Sequence, residues 1–233
     1  MSNDIRINAT MLESYRYMMK TIEEDDSEEG YKAYINRRDE LLSQLRGEPF
    51  EANDAMLIGG AFDYLMQHEV QPIDGLVSYE GWLFNADELA TARKHIPSMM
   101  THQVKMVSPM MMYRGHKVFI SGVFDGLNGN MVIENKTSQR PKALFDYLPS
   151  LQWRAYCWLS GLKFCRYNVW HVQANGKYVS VESYKRFDMI MSDYDYVVLK
   201  NYVDAFMTFI DTHECIEAMV QRTQQKPFLV EAI

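Results

Sequence analysis

The 233-residue chain is short of several things that would each have fixed its class. It has three cysteines, Cys157, Cys165 and Cys215, with no metal-ligand spacing among them. So sparse and odd a count builds no disulfide framework, and the thiols read as reduced and interior. No stretch approaches the roughly 18 consecutive apolar residues of a membrane span, and MSNDIRINATMLESYRYMMK lacks the basic-then-apolar pattern of a signal peptide. The expectation is an intracellular, cytoplasmic protein with no membrane partner. A formal charge of −7 argues against a protein that coats nucleic acid non-specifically, because such binding rests on Lys and Arg neutralising phosphates. A local basic groove stays open. No GxxxxGK[ST] motif occurs, so no ATP-driven motor is fused to the chain and ATP is not expected as a cofactor.

What is present is enough apolar material, 47% of residues, for a sizeable core. The texture divides the chain into three stretches of one expected domain. Residues 1–54 read as helical, with an acidic run from Glu23 to Glu29 and a mixed-charge segment, INRRDELLSQLRGE, suited to a solvated helix. Residues 55–185 read as the core. DAMLIGGAFDYLMQHEV has helical periodicity around a Gly59-Gly60 pair that permits close backbone packing, and a loop and a second helix around ADELATARKHIP follow. From Val104 three short strands succeed one another as an antiparallel meander, with turns at Arg114-Gly115-His116 and Leu127-Asn128-Gly129-Asn130. SLQWRAYCWLSGLK then reads as a helix ending near Gly161, and FCRYNVWHVQ and KYVSVESYK as strands. Residues 186–233 are assigned to one long C-terminal helix.

The third strand of the meander carries the first chemistry. Alternate side chains of a strand leave one face, so Glu134 and Lys136 emerge together in MVIENKTS while Asn135 points away. Such a pair is either a solvated ion pair or the edge of an active site. Asp125 ends the preceding strand, nine residues earlier across one tight turn, so a hairpin can bring both carboxylates to neighbouring positions. Two acids suit a hard cation such as Mg²⁺, held by one or two carboxylates plus water and substrate phosphate. Lys136 is then placed to position or deprotonate a water and to stabilise charge on a phosphodiester. In the next helix, Gln152 and Tyr156 at i,i+4 put two polar tips on one face.

The ordered combination of Gly-x-Phe-Asp-Gly around Asp125, Ile-Glu-Asn-Lys-Thr around Glu134 and Lys136, and Gln152 to Tyr156 resembles the PD-(D/E)XK nuclease superfamily, in particular its RecB-like and phage recombination exonuclease branch. The resemblance implies an α/β, restriction-endonuclease-like core, a mixed central sheet flanked by helices, here with a helical N-terminal segment and a long C-terminal helix. It implies Asp125, Glu134 and the main-chain carbonyl of Asn135 as ligands of Mg²⁺ or Mn²⁺, Lys136 as the catalytic lysine, and Gln152 and Tyr156 as residues that hold the site and the DNA backbone. The bland reading of that pair is an ordinary half-buried helix face. Thr137, Ser138, Arg140 and Lys142 follow directly and suit phosphate contacts.

The family also places a metal-binding histidine four residues after a helix glycine. Here Gly59 is followed by Asp63, and either Asp63 or His68 takes that place, Asp63 being favoured because His68 lies about 140° further round the helix. Some RecB-like nucleases carry an iron–sulfur cluster on four cysteines, which three scattered ones cannot supply. The implied activity is a metal-dependent DNA exonuclease acting on linear duplex ends in phage-type recombination, as a homo-oligomer and beside a single-strand annealing protein. The alternatives are an endonuclease of the same fold and a catalytically silent DNA-binding or assembly protein. Among the aromatics, Trp158, Tyr167, Trp170 and Phe206 sit in apolar runs and read as core, whereas Trp82 and Phe84, in the non-periodic EGWLF stretch, are candidates for a base-stacking wedge. The 17 methionines, Met110, Met111 and Met112 included, read as pliable core filling.

Overall fold

A computed structural model describes residues 3–98 and 100–225. In chain order the elements are β1 (Ile5–Asn8), α1 (Ala9–Glu24), α2 (Glu28–Arg46), α3 (Asp54–Gln67), β2 (Leu76–Tyr79), β3 (Trp82–Asn85), α4 (Ala86–Arg93), β4 (Thr101–Tyr113), β5 (His116–Asn128), β6 (Met131–Ser138), α5 (Leu144–Tyr147), α6 (Leu151–Ser160), β7 (Phe164–Asn175), β8 (Tyr178–Ile190), α7 (Asp193–Thr212) and α8 (Ile216–Gln225). The helices start where short polar side chains meet the first unpaired amides. Asn8, Ser27, Asn53, Asn85, Ser150 and Ser192 each accept a hydrogen bond from the first turn of the helix that follows. Gly161 ends α6 in the left-handed conformation, which lets its N–H return to the Trp158 carbonyl.

The strands form one mixed sheet in the order β1-β5-β6-β7-β8-β3-β2, with β4 attached to β5. The expected meander is present: β4 and β5 meet through the Arg114-Gly115 turn, both residues at positive φ, and β5 and β6 through the turn at Gly129. After β6 the chain crosses over by way of α5 and α6 and returns in β7, parallel to β6 along its whole length.

The register of β5 shapes everything near the site. β4 lines one edge of β5 from His116 to Leu127. The other edge is shared: β1 pairs in parallel with Val118–Ser121, and β6 pairs antiparallel with Gly126–Asn128. Residues 122–125 lie between these ladders and pair with neither.

Helices cover both faces. On one, α1, α6 and α7 pack against Val132, Cys165, Tyr167 and Val169. On the other, α3 and α4 pack against Trp170, Val172 and Val179. The alternation of Tyr167 and Val169 with Trp170 between the two cores is the two-residue period of a strand buried on both sides.

Three expectations are corrected. The N-terminal stretch opens with a strand, β1, before its helices; its four residues are too few to show a period against the helix that follows. The loop expected after α3 contains the hairpin β2–β3, and Trp82 and Phe84, at 2% and 0% exposure, are core residues and not a wedge. Their alternation was hidden in a strand only four residues long. At the C-terminus, β8 extends to Ile190, and the long helix is α7 alone. It ends with the Cys215 N–H on the Ile210 carbonyl and the Glu214 N–H on the Asp211 carbonyl, a Schellman closure with Glu214 at φ 56° where glycine is usual. The expected span 186–233 runs on to residues 226–233, which lie outside the described residues. Tyr167, Trp170 and Phe206 are buried and Trp158 is half-buried; Met110 and Met111 are half-buried and Met112 is exposed. The three cysteines are buried and free.

Candidate active site

The site forms where the ladder between β5 and β6 stops. Beyond the Gly126–Ile133 pair the next step of the register sets Asp125 opposite Glu134, but the strands part there. The main-chain N–H of Asn135, left without a ladder partner on that side, donates instead to Asp125 Oδ2 at 2.6 Å. Glu134 and Lys136 share a strand face as their spacing requires, with Lys136 Nζ 2.6 Å from Glu134 Oε1. Glu134 Oε2 is buried and has no hydrogen-bond partner.

Asp63 arrives from α3. Gly59, one turn earlier, lies so close to β6 that an added Cβ would stand 3.2 Å from Thr137 Oγ1, whereas nothing lies within 4 Å of one added at Gly60. The glycine lets the helix approach the end of β6 and brings Asp63 into the field of Asp125, Glu134 and Lys136. His68 is elsewhere: it caps α3, stacks on Tyr64 at 4.2 Å between ring centroids, and sets Nδ1 3.0 Å from the Tyr64 carbonyl oxygen.

Burial and mutual repulsion hold the acids toward their neutral forms. Burial first, then the charges of Asp125 and Glu134, pushes Asp63 up to about 8. Burial likewise raises Glu134 to about 7, with Asp125 adding to the rise and Lys136 opposing it. Asp125 is raised by burial against the pull of the Asn135 N–H and Lys136. Burial works against the ammonium of Lys136, but Glu134 more than offsets it, and the lysine is held above its ordinary range.

Helix α6 supplies the floor. Its N-terminus is tied to α1 by Glu13 Oε2, which accepts from Ser150 Oγ at 3.1 Å and from the Leu151 N–H at 2.7 Å. Gln152 Nε2 donates to Tyr156 Oη at 2.8 Å, so the pair does share one helix face. The Tyr156 ring lies over the stretch of β5 that neither β1 nor β6 pairs with: a Cβ at Gly122 would come within 2.7 Å of its Cε1. Thus Gly122 makes the room that Tyr156 fills beneath the carboxylates.

The residues after β6 sit at the rim. Ser138 is half-buried and turns back on itself, donating to the Arg140 carbonyl at 2.7 Å and accepting the Arg140 N–H. Arg140 is exposed, and Lys142 is half-buried with Nζ 4.0 Å from Asp146. Two aromatic residues that the sequence did not place at the site border it: Tyr167, read as core, and Tyr147. Tyr167, directly across the ladder from Glu134, sets its ring centroid 5.7 Å from Lys136 Nζ, and Tyr147 packs edge-on against Tyr167 at 5.2 Å. Burial pushes the Tyr147 hydroxyl up to about 12, with Lys136 pulling the other way. The parallel register of β6 and β7 was the missing signal, since it pairs residues 33 apart.

Among the described residues no three His, Cys, Asp or Glu side chains are drawn together tightly enough to hold an ion as they stand. The donor chemistry nevertheless fits a hard divalent cation. Asp125 and Glu134 are buried and Asp63 is half-buried, all three are acids that repel one another when ionised, Glu134 keeps an orphaned oxygen, and among the described residues the Lys136 ammonium is the cation paired with them. Asp63, Asp125, Glu134 and the Asn135 carbonyl are the oxygens available.

No protein-family model matches the chain, and no curated protein matches it. Among solved structures it is similar to an alkaline exonuclease, LHK-Exo, from Laribacter hongkongensis, at 15% identity over 94% of each chain and a TM-score of 0.49. The same enzyme in complex with dAMP gives 16% identity over 94% of this chain and 93% of that one, with a TM-score of 0.48. The protein SSO0001 gives 16% identity over 88% of this chain and 76% of its own, with a TM-score of 0.47. At these identities no residue's role passes from one chain to the other.

Proposed function

We propose that this protein is a metal-dependent deoxyribonuclease of the PD-(D/E)XK kind, an exonuclease that hydrolyses linear duplex DNA from its ends. One observation carries the reading: Asp63, Asp125 and Glu134, three carboxylates that repel one another, are gathered with Lys136 at the point where β5 and β6 separate. Acids drawn together out of water lose hydration and repel one another, and one lysine and one main-chain N–H offset only part of that here. A site kept at that cost is one whose charge is needed.

Asp63, Asp125, Glu134 and the Asn135 carbonyl would hold Mg²⁺ or Mn²⁺, which when bound supplies Lewis-acid stabilisation of a scissile phosphodiester and a more acidic water. Lys136, paired with Glu134, orients a water and stabilises negative charge developing on phosphate oxygens. Tyr156, braced by Gln152, fixes the floor on which β5 and β6 diverge. Ser138, Arg140 and Lys142, at the exit of β6, meet the backbone of the substrate strand. On this reading an acidic chain retains DNA by assembling with further copies of itself and hands the exposed single strand to an annealing protein.

The test is incubation of end-labelled linear and closed circular DNA with the protein in Mg²⁺, Mn²⁺ or EDTA, beside Glu134→Ala and Lys136→Ala. Progressive, ion-dependent loss of linear DNA alone, absent in both variants, is the expected result. Nicking of circles would make it an endonuclease, and retention of DNA without cutting a binding protein.

A further inference from the structure

On the face of β6 turned away from Glu134 and Lys136 lies a polar chain inside an otherwise apolar part of the sheet. Asn135, 6% exposed, pairs across the parallel ladder with Asn168 of β7, which is fully buried. Asn168 Nδ2 donates to Asn135 Oδ1 at 3.0 Å. The other end of the Asn168 amide is engaged too, because Tyr184 Oη donates to Asn168 Oδ1 at 2.8 Å from β8. The Tyr184 ring is itself held, stacked on His95, in the turn after α4, at 3.8 Å and tilted against Trp170 at 5.3 Å. Two neighbouring asparagines in the middle of a sheet give up hydration that valines or leucines would not need to give up, and their hydrogen bonds return only part of it. What they gain is direction. The side chain of Asn135 has one arrangement that satisfies Asn168, and its main chain, on the same residue, donates to Asp125 Oδ2.

We propose that Asn168 and Tyr184 are positioning residues of the candidate active site. They lock the side chain of Asn135, so that its main chain, in the two peptide groups flanking its Cα, presents the N–H to Asp125 and would present the carbonyl to a bound ion. The inference rests on the nuclease reading for its purpose, though the lock itself is a property of the protein without any ion. Outer partners that orient ligand-bearing groups typically govern affinity by about 10–100-fold. Tyr184 is two hydrogen bonds away from the Asn135 peptide, so the lower end applies to it.

The experiment uses Tyr184→Phe, which removes one hydroxyl and leaves the ring contacts, and Asn168→Leu, which removes the amide. Three quantities are read on the full chain: amide hydrogen exchange across residues 131–138 without metal, the Kd for Mn²⁺ by calorimetry, and kcat and KM on linear DNA. The expected result is faster exchange at Asn135 and a Mn²⁺ Kd raised by about 10-fold in Tyr184→Phe and by more in Asn168→Leu. KM for DNA should stay near the wild-type value and cleavage at limiting Mn²⁺ should fall. Unchanged exchange and unchanged Mn²⁺ affinity in Tyr184→Phe would overturn the proposal, whether or not Asn168→Leu folds. A wild type that binds no Mn²⁺ and cuts no DNA would sink the nuclease reading instead, and the exchange measurement would still decide the lock.

Discussion

Gly59 lies against Thr137 so closely that a single added carbon would stand 3.2 Å from the threonine hydroxyl oxygen. Its neighbour Gly60 faces open space. Two adjacent helical glycines therefore predict opposite outcomes. Gly60→Ala should stabilise the protein by about 1 kcal/mol, the gain in helix propensity, and leave cleavage alone. Gly59→Ala should forfeit that gain to the clash, shift α3 away from β6, and lower ion-dependent cleavage by about 10-fold through Asp63. Thermal melting and a cleavage assay on both variants check the contrast.

The metal-free protein should lose stability as pH rises. Asp63 has an ordinary value of 3.8 and is pushed up to about 8, and Glu134 is pushed from 4.5 up to about 7. Between about pH 4 and pH 8 the folded protein binds more protons than the unfolded chain, so unfolding is favoured progressively over that window. Melting temperature in EDTA should fall by several degrees from pH 5 to pH 8.5, and Asp63→Asn should flatten the slope. Mg²⁺ should restore the loss at the alkaline end. A wild-type profile flat across this range would contradict the crowding of the three acids.

Replacing Glu134 by Gln keeps the shape of the side chain and removes one of the repelling charges. The variant should melt above the wild type at pH 8 in EDTA, yet lose cleavage by at least about 10²-fold. Parallel melting curves and a linear-DNA assay separate the two effects, and equal stability would show that the charge is not strained.

Phe84 is fully buried beside Phe62, with ring centroids 6.1 Å apart. Phe84→Ala should cost about 3–5 kcal/mol by opening a cavity between α3 and the sheet. Chemical denaturation reads it directly. A stable variant with altered preference for DNA ends would return Phe84 to the list of stacking residues.

Much of the site was legible because its first elements are local. Asp125, Glu134 and Lys136 lie on one hairpin, and Gln152 and Tyr156 on one turn of helix, so spacing alone orders them within each element. Asp63 was legible only through the Gly59–Asp63 spacing, since no local rule says which strand α3 will touch. Asn168 and Tyr184 left no mark in the sequence: a lone asparagine in FCRYNVWHVQ gains meaning only from the parallel register that sets it beside Asn135. The fold was missed where elements are shortest or their punctuation is unusual. β1 and β3 have four residues each, and α7 stops at a left-handed glutamate where glycine would have announced the end.

The shared edge of β5 also sets a condition on folding. A hairpin of β5 and β6 is a local structure that can zip onward from its turn, and every further rung past Gly126 would consume the residues around Asp125 as ordinary ladder. In the folded protein the ladder stops short of them, with Ile5–Asn8 paired to Val118–Ser121 further along the same edge and the Tyr156 ring lying over Gly122. The four-residue strand at the start of the chain, remote in sequence from every charged group of the cleft, is thus a doorstop that bounds how far along that edge the hairpin can run.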